Sequence, residues 1–533
     1  MKTVKIILLA LLFQIVLYAQ ITPSASNYLR YGNGSQQIGE LGKTLEYTEN
    51  VFDFRLGLPE SINIGFRYLY DKPPEVGPEF NGIKRRFIEY QNSGFYVRAG
   101  HSSEIYGKGL ALNLFEDRGL AFNTWLDGVK MSYTKDALSA SLIAGTIDFR
   151  DSVNVTRHEI YDIKGGNFNY EISEAFSVGA SFVRTDGEIP QGNVKKNILS
   201  EIPELYFTFS GEKFELFLNW ARLWINNKDD KIASDGYGVY GSFSWFDEGF
   251  GLTLDYKDYR FNIEDPFRRF DETRTTKIFP FQNPPIVMKE HSYTLLSRPL
   301  HEVDFNDETG FQLELYYLLT DDINFTFNAS VASRHNFFKY DPSQFSFVEE
   351  TRETNFLPSL DDKYSPYYEM FLEGEYNVDF NTTLNLGVAY RSKVLYNEFT
   401  GDIGTHKISS VVIPAAANFQ VNEDLVSQIK YQLEFRDDNF NIKQEKFYNQ
   451  HIDFLMTIKQ KLSLTVRYEF TDNDFDVSGR KDWLAFETGY RINSGNVLTL
   501  TYGRERGGLV CANGVCRYVL PFKGFRFSLQ TIF

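Results

Sequence analysis

The sequence predicts one large antiparallel transmembrane β-barrel, and three observations carry that prediction. Many segments alternate apolar and polar residues with a period of two, which places the two sets on opposite faces of a strand. Short and long joins between these segments alternate along the chain. Aromatics make up 16% of the residues, with 33 Tyr and 49 Phe. That excess suits a barrel with aromatic girdles at both membrane interfaces, whereas a soluble sandwich fills its core mainly with aliphatics.

The N-terminal stretch MKTVKIILLALLFQIVLYAQ starts with Lys2 and Lys5 and runs apolar from Ile6 to Tyr18. The run is too short to span a bilayer as a helix. Its layout is that of a secretory signal over residues 1–19, cleaved after Ala19, with the barrel occupying 20–533. No other long apolar run follows, and the mean hydropathy is -0.33. The formal net charge is -16. Removing Lys2 and Lys5 makes it about -18 (-16 minus 2), an acidic balance that argues against nucleic acid as a partner.

The strands follow in order. Ser61–Tyr70 aligns Ile62, Ile64, Phe66, Tyr68 and Tyr70 on one face. Phe214–Trp224 aligns Phe214, Leu216, Leu218, Trp220 and Trp224. Phe311–Leu319 sets Phe311, Leu313, Leu315, Tyr317 and Leu319 against Gln312, Glu314 and Tyr316. The next segment sets Ile323, Phe325, Phe327, Ala329 and Val331 against Asn324, Thr326, Asn328 and Ser330. Leu425–Phe435, Leu462–Phe470 and the last segment, with Phe525, Phe527, Leu529, Thr531 and Phe533 on one face, repeat the pattern. Each is long enough to cross a bilayer when tilted.

The joins at Asp136, Ser173-Glu174, Gly211-Glu212, Glu248-Gly249, Asp321-Asp322, Phe380-Asn381, Asn422-Glu423, Gln460 and Ser494-Gly495 are tight. Between them lie longer, more polar stretches: Gly187–Leu199, Asn226–Ser234, Phe261–Thr309, Asn336–Tyr364, Asn397–Thr405, Asp437–Gln444 and Asp474–Lys481. Short periplasmic turns and long external loops produce this alternation, and the segment count predicts about 22 to 24 strands.

Cys511 and Cys516 flank Asn513-Gly514, a two-residue hairpin signal. One step beyond the turn's flanking residues, they form a non-hydrogen-bonded pair with Cα atoms about 4.5 Å apart. A disulfide spans that distance at the short end of its range, and an exported compartment is oxidising. The expectation is a Cys511–Cys516 disulfide at an external tip. A metal site there lacks His ligands.

The stretch RRFIEYQNSGFYVRAGHSSEIYGKGLALNLFEDRGLAFNTWLDGVKMSY, with NPPIVMKEHSYTLL, GFQLELYYLL and the tail RERGGLVCANGVCRYVLPFKGFRFSL, resembles a family of exported Bacteroidota proteins known as a domain of unknown function. The pattern over Ala99–Leu110 is its most specific part. The resemblance implies an outer-membrane barrel and a last strand ending on Phe533 that barrel-assembly machinery recognises. It implies no catalytic residues.

Within this motif, Gly107, Gly109 and Gly119 break the strand period, so Leu110–Phe115 is expected to form a short helix or an inward-folded turn. His101, Glu104, Tyr106, Glu116, Asp117 and Arg118 are the candidate ligand cluster of the lumen, set against a purely packing role. The long segment Phe261–Thr309 carries Arg268, Arg269, Arg274, Lys277, Lys289 and Arg298 among several prolines. A loop this long is usually functional or disordered. This one is expected to plug the lumen or cap its mouth, as barrels of this size often are, or else to pack on the surface.

The seven histidines are scattered, and no local catalytic motif or phosphate loop is present. No cofactor and no metal are expected. Three functions stay open: a pore or gated channel for small polar solutes, a plugged adaptor subunit of an envelope assembly, export or uptake complex, and an outer-membrane enzyme. The partners expected are outer-membrane lipid, the barrel-assembly machinery and an envelope protein.

Overall fold

The computed structural model describes residues 21–38, 41–152, 157–191, 194–229, 231–261, 278–298, 301–476, 478–512 and 515–533. The expected signal (1–19), the Asn513-Gly514 turn, and Arg268, Arg269, Arg274 and Lys277 lie outside the described residues.

Twenty-four strands form one antiparallel sheet in which each barrel strand pairs with the next along the chain. The first, Thr22–Ile38, pairs with the last, Phe522–Ile532, through register partners such as Leu29 and Leu529. That pairing closes the sheet, and closure removes the two unpaired edges that an open sheet would leave.

The face of each residue follows from the alternation. Along Phe214–Asn227, Phe217, Asn219, Ala221 and Leu223 are buried toward the lumen. The set picked out by its apolar period points outward, with Trp220 at 40% and Trp224 at 47% exposure. Tyr367–Asp379 buries Tyr367, Glu369 and Phe371 and turns Met370 and Leu372 outward. Charged residues inside and large apolar residues outside invert the order of a soluble protein, as lipid on the outer face requires. Outward aromatics cluster at the turn end (Phe95, Tyr170, Phe209, Trp245, Tyr317, Phe325, Tyr376, Tyr490) and again toward the opposite end (Tyr68, Tyr390, Tyr431, Phe435, Tyr468). These are the two girdles.

At the end where Phe533 lies, joins are two or three residues long, from Pro59–Ser61 to 494–495. The opposite end carries the longest joins, which leave the wall after Ser102, Arg260, Ser333 and Glu505 and return to it at Leu126, Glu308, Tyr367 and Phe522. Two loops expected there are corrected. Gly187–Leu199 and Asn226–Ser234 are mostly strand: Phe176–Gln191 pairs with Val194–Ser210 up to Gln191 and Val194, and Phe214–Asn227 pairs with Ile232–Asp247 up to Asn227 and Ile232. These strands run to 17 residues, well beyond the about 9–11 that cross a bilayer. Above the lipid the outward face meets water and carries Arg184, Asp186 and Glu188, while the inward face at Thr185, Ile198 and Ser200 stays buried, so the outward apolar period fades while the ladder continues. Cross-strand pairs Arg184–Glu201 (3.1 Å) and Lys195–Glu188 (3.3 Å) decorate this extension.

The Ala99–Leu110 motif leads into two small hairpins, Glu104–Tyr106 with Leu112–Leu114 and Glu116–Asp117 with Phe122–Asn123. Leu110–Phe115 is therefore an inward turn running into a short strand and not a helix, because Gly107 and Gly109 adopt positive φ just before it.

Candidate functional site

Two segments leave the wall and enter the lumen. The first is 103–125. Its apolar residues Tyr106, Leu110, Ala111 and Leu112 are fully buried. Its charged residues bind the wall: Glu116 meets Arg67 at 2.8 Å and Arg85 at 2.7 Å, Arg118 meets Glu49 at 2.7 Å, and Glu104 meets Lys130 at 3.1 Å. Arg85 lies over the Trp125 ring at 3.6 Å.

The second is the described part of the long loop, 278–298 and 301–307. Prolines 280, 284 and 285 deny it a helix or a sheet ladder and leave its carbonyls free. The wall uses them: Tyr259 donates to the Pro285 carbonyl at 2.8 Å, and Lys257 to the Ile286 carbonyl at 2.6 Å. Phe279 and Phe281 stack on each other (5.2 Å, 8°) and pack edge-on against Tyr161. The segment then runs on along the wall, from the strand next to that of Tyr259 to strands farther round the barrel. Lys289 meets Glu314 at 2.6 Å, His291 meets Glu369 at 2.6 Å, Tyr293 donates to Glu373, and Arg298 pairs with Glu469. One helical turn, Thr294–Ser297, is held by the wall at both ends. Gln432 accepts from the Leu295 N–H at 2.8 Å, and Arg391 donates to the Leu295 and Leu296 carbonyls at 2.6 and 2.8 Å.

The two segments meet. The Asn113 N–H donates to the Phe281 carbonyl (2.8 Å), the Asn283 N–H to the Gly109 carbonyl (3.1 Å), and the Gln282 side chain to the Leu110 carbonyl (2.8 Å). Gly109 has φ +89°, and a Cβ built there lies 2.6 Å from the Asn283 carbonyl. Gly109→Val should therefore force the seam apart at a cost of about 1–3 kcal/mol. The check is protease cleavage of segment 278–298 in the folded variant, which wild type should resist.

A cavity of about 510 Å³ lies at the mouth, and another of about 520 Å³ lies between segment 283–290 and the wall at Tyr240, Asp255 and Gln312. Of the six cluster residues, His101, Glu116, Asp117 and Arg118 line the mouth cavity. Glu104 and Tyr106 do not: Tyr106 packs into the filling core instead. Lys289 and Arg298 of the expected plug do face wall carboxylates.

Several polar residues escaped the sequence reading. Lys257, with no exposed surface, bridges to Glu308 (2.5 Å), which also meets His301 (2.8 Å). His335, in the external segment, sits between Asp258 (3.0 Å) and Asp307 (2.9 Å). Burial alone would lower its pKa, but hydrogen bonds to the two carboxylates outweigh burial and raise it above the ordinary 6.5. The only trace of such residues in the sequence is a charge at an inward position, as in the alternation Tyr367-Glu369-Phe371-Glu373.

A closed 24-stranded barrel with a lipid-facing apolar band and its own segments in its lumen is an integral outer-membrane β-barrel. This chain belongs to the family of unknown function DUF6029, whose model matches residues 47–533. No curated protein matches it. Among solved structures it is similar to the siderophore receptor PirA from Pseudomonas aeruginosa (TM-score 0.47, 9% identity, 96% of this chain and 80% of that one). It is also similar to the ferric citrate transporter FecA in the unliganded form (0.42, 9%, 96% and 78%) and to the P pilus usher PapC translocation pore (0.40, 7%, 96% and 99%). At these scores the barrel class rests on the strand topology and not on the neighbours.

Proposed function

We propose that this barrel is a gated conduit for small polar solutes, closed at rest by its two inward segments. The observation that supports this is the seam between Gly109–Asn113 and Phe281–Asn283. It is made of backbone and amide hydrogen bonds, and cavities that present charged as well as apolar side chains lie at the mouth and beside the filling segment. A hydrogen bond between neutral groups contributes only about 1 kcal/mol net, so a few of them make a junction that a modest stimulus opens. Liposome swelling tests it. Vesicles carrying the Gly109→Val barrel should admit small polar solutes and wild-type vesicles should exclude them. Equal exclusion by both would reject the gate.

Docking of an envelope protein has its own support. Four external excursions interlock: Phe399 packs on Tyr340 (5.1 Å) and Phe347 (5.0 Å), Asn441 donates to Asn473 (3.0 Å), and Lys407 pairs with Asp362. Their tips leave Phe345, Leu360, Ile403, Phe440 and Ile442 at 66% exposure or more. The same excursions carry Asp341, Asp402 and the pairs Lys363–Asp361 and Lys481–Asp474, which suits a partner with an apolar centre and a polar rim of both charges. Native gels of membranes should show a large species that Ile403→Ser/Ile442→Ser abolishes. Co-migration of variant and wild type would reject this docking.

We also propose the Cys511–Cys516 disulfide. The two residues are register partners in the hairpin Gly508–Ala512 with Val515–Val519. Maleimide should label neither cysteine in the purified protein until a reductant is added. Labelling without reduction would reject the bond.

A further inference from the structure

Resting on the conduit reading, we propose that the mouth cavity is a binding site for small zwitterions of amino-acid to dipeptide size, which names the substrate class. Its volume of about 510 Å³ falls within the range of small-molecule sites. Most of the charges lining it are already balanced within the protein, as in Arg67–Glu116, Arg118–Glu49, Arg30–Glu75 and Arg86–Asp127. Four are not.

Lys84 and Arg517 line the cavity and make no ion pair among the described residues, and the buried Arg517 Nε has no hydrogen-bond partner. Lys84 lies over the Phe80 ring at 4.8 Å, which holds its ammonium at the cavity wall. Asp71 makes no ion pair or side-chain hydrogen bond among the described residues, with Arg30 and Arg118 acting on it only from beyond ion-pair distance, and among those residues the Asp117 side chain accepts only the backbone N–H of Leu120 (2.9 Å).

Partly buried charge without a partner is costly, so these groups are built for counter-charges that arrive from solution. Two are cationic and two are anionic. An anion would satisfy Lys84 and Arg517 and leave the carboxylates exposed to like charge; a cation would do the reverse. A molecule bearing both an ammonium and a carboxylate serves both sets at once. Charge-assisted hydrogen bonds from guanidinium or ammonium to carboxylate are the strong ones, so the selectivity should be readable in solution.

The test is titration calorimetry on the folded full chain in detergent with L-alanyl-L-alanine, its N-acetyl derivative and its C-terminal amide. The free dipeptide should bind, and each single-charge analogue should bind at least about tenfold more weakly, a difference of about 1.4 kcal/mol. Asp71→Asn should erase the preference over the N-acetyl derivative and keep the preference over the amide; Lys84→Gln should do the opposite. The analogue series on wild type stands even if a variant fails to fold. Equal binding of all three compounds, or no binding by protein of folded gel mobility, overturns the proposal. The gate is read separately by swelling: a permeable Gly109→Val barrel with no dipeptide binding rejects the zwitterion site alone. Dipeptide binding with an impermeable variant rejects the conduit alone.

Discussion

Replacing residues 262–306 with a short Gly-Ser turn is expected to convert a silent barrel into one with steady nanosiemens-scale conductance. The wall tolerates this change because the excision ends are neighbours: Tyr259 and Glu308 are register partners on adjacent strands. The ladder between Phe250–Arg260 and Glu308–Thr320 survives intact. What disappears is the partner of segment 103–125 across the seam and the cations that face wall carboxylates. Glu314 loses Lys289, Glu369 loses His291, and Glu469 loses Arg298. Glu314 is left without a cation among the described residues, while Glu369 keeps Arg391 (3.9 Å) and Glu469 keeps Arg506 (2.9 Å). The opened lumen is therefore lined by carboxylates that have each lost one cation, and a ring of carboxylates selects cations. The expected record is steady steps with a reversal potential shifted toward the cation equilibrium value. Planar-bilayer recording of the purified, heat-modifiable protein checks it. A folded excision barrel that stays silent would mean that segment 103–125 closes the lumen alone, and steady conductance by wild type would mean that the lumen is never closed.

The wall was legible in the sequence because lipid imposes one rule on every strand. Leu216, Leu218, Trp220 and Trp224 had to share a face, and Phe533 had to end a strand of the same kind. Above the bilayer the rule lapses, which is why Gly187–Leu199 reads as a loop and is a ladder. The lumen was legible only in part. The glycines at 107 and 109 announced a break in the strand, and the prolines from 280 to 285 announced a segment unfit for sheet. Neither pattern states which carbonyl meets which amide, since the seam joins residues about 170 positions apart. Pairing of the filling segment with Glu314, Glu369, Gln432 and Glu469 follows from the curvature of the closed wall, and that curvature exists only once the first and last strands have met. Tyr106 shows the limit. Its place in the motif suggested a ligand contact, yet the inward hairpin turns it into the core, beside Gly165 of the wall.

Lys257→Met is expected to destabilise the folded barrel by about 3–5 kcal/mol, the cost of removing one partner from a buried ion pair. Lys257 has no exposed surface, and its ammonium touches both Glu308 and the Ile286 carbonyl. The substitution preserves the length of the apolar stem, so the loss is electrostatic and not a cavity. Among the described residues it leaves the Glu308 carboxylate with His301, at 2.8 Å, as its one cationic neighbour. It also leaves the Ile286 carbonyl without its donor. Adding Glu308→Gln removes the stranded charge and should return most of the lost stability, because the larger part of the penalty is the unpaired carboxylate and not the missing attraction. Denaturant unfolding of the two single variants and the double variant in lipid vesicles closes the cycle, and a coupling energy of several kcal/mol is expected. The same series separates stability from gating. Lys257 fastens the filling segment to the wall at Ile286, so the double variant should regain stability and still leak small solutes. Recovery of both stability and closure would show that the seam at Phe281–Asn283 holds the segment without help from the wall.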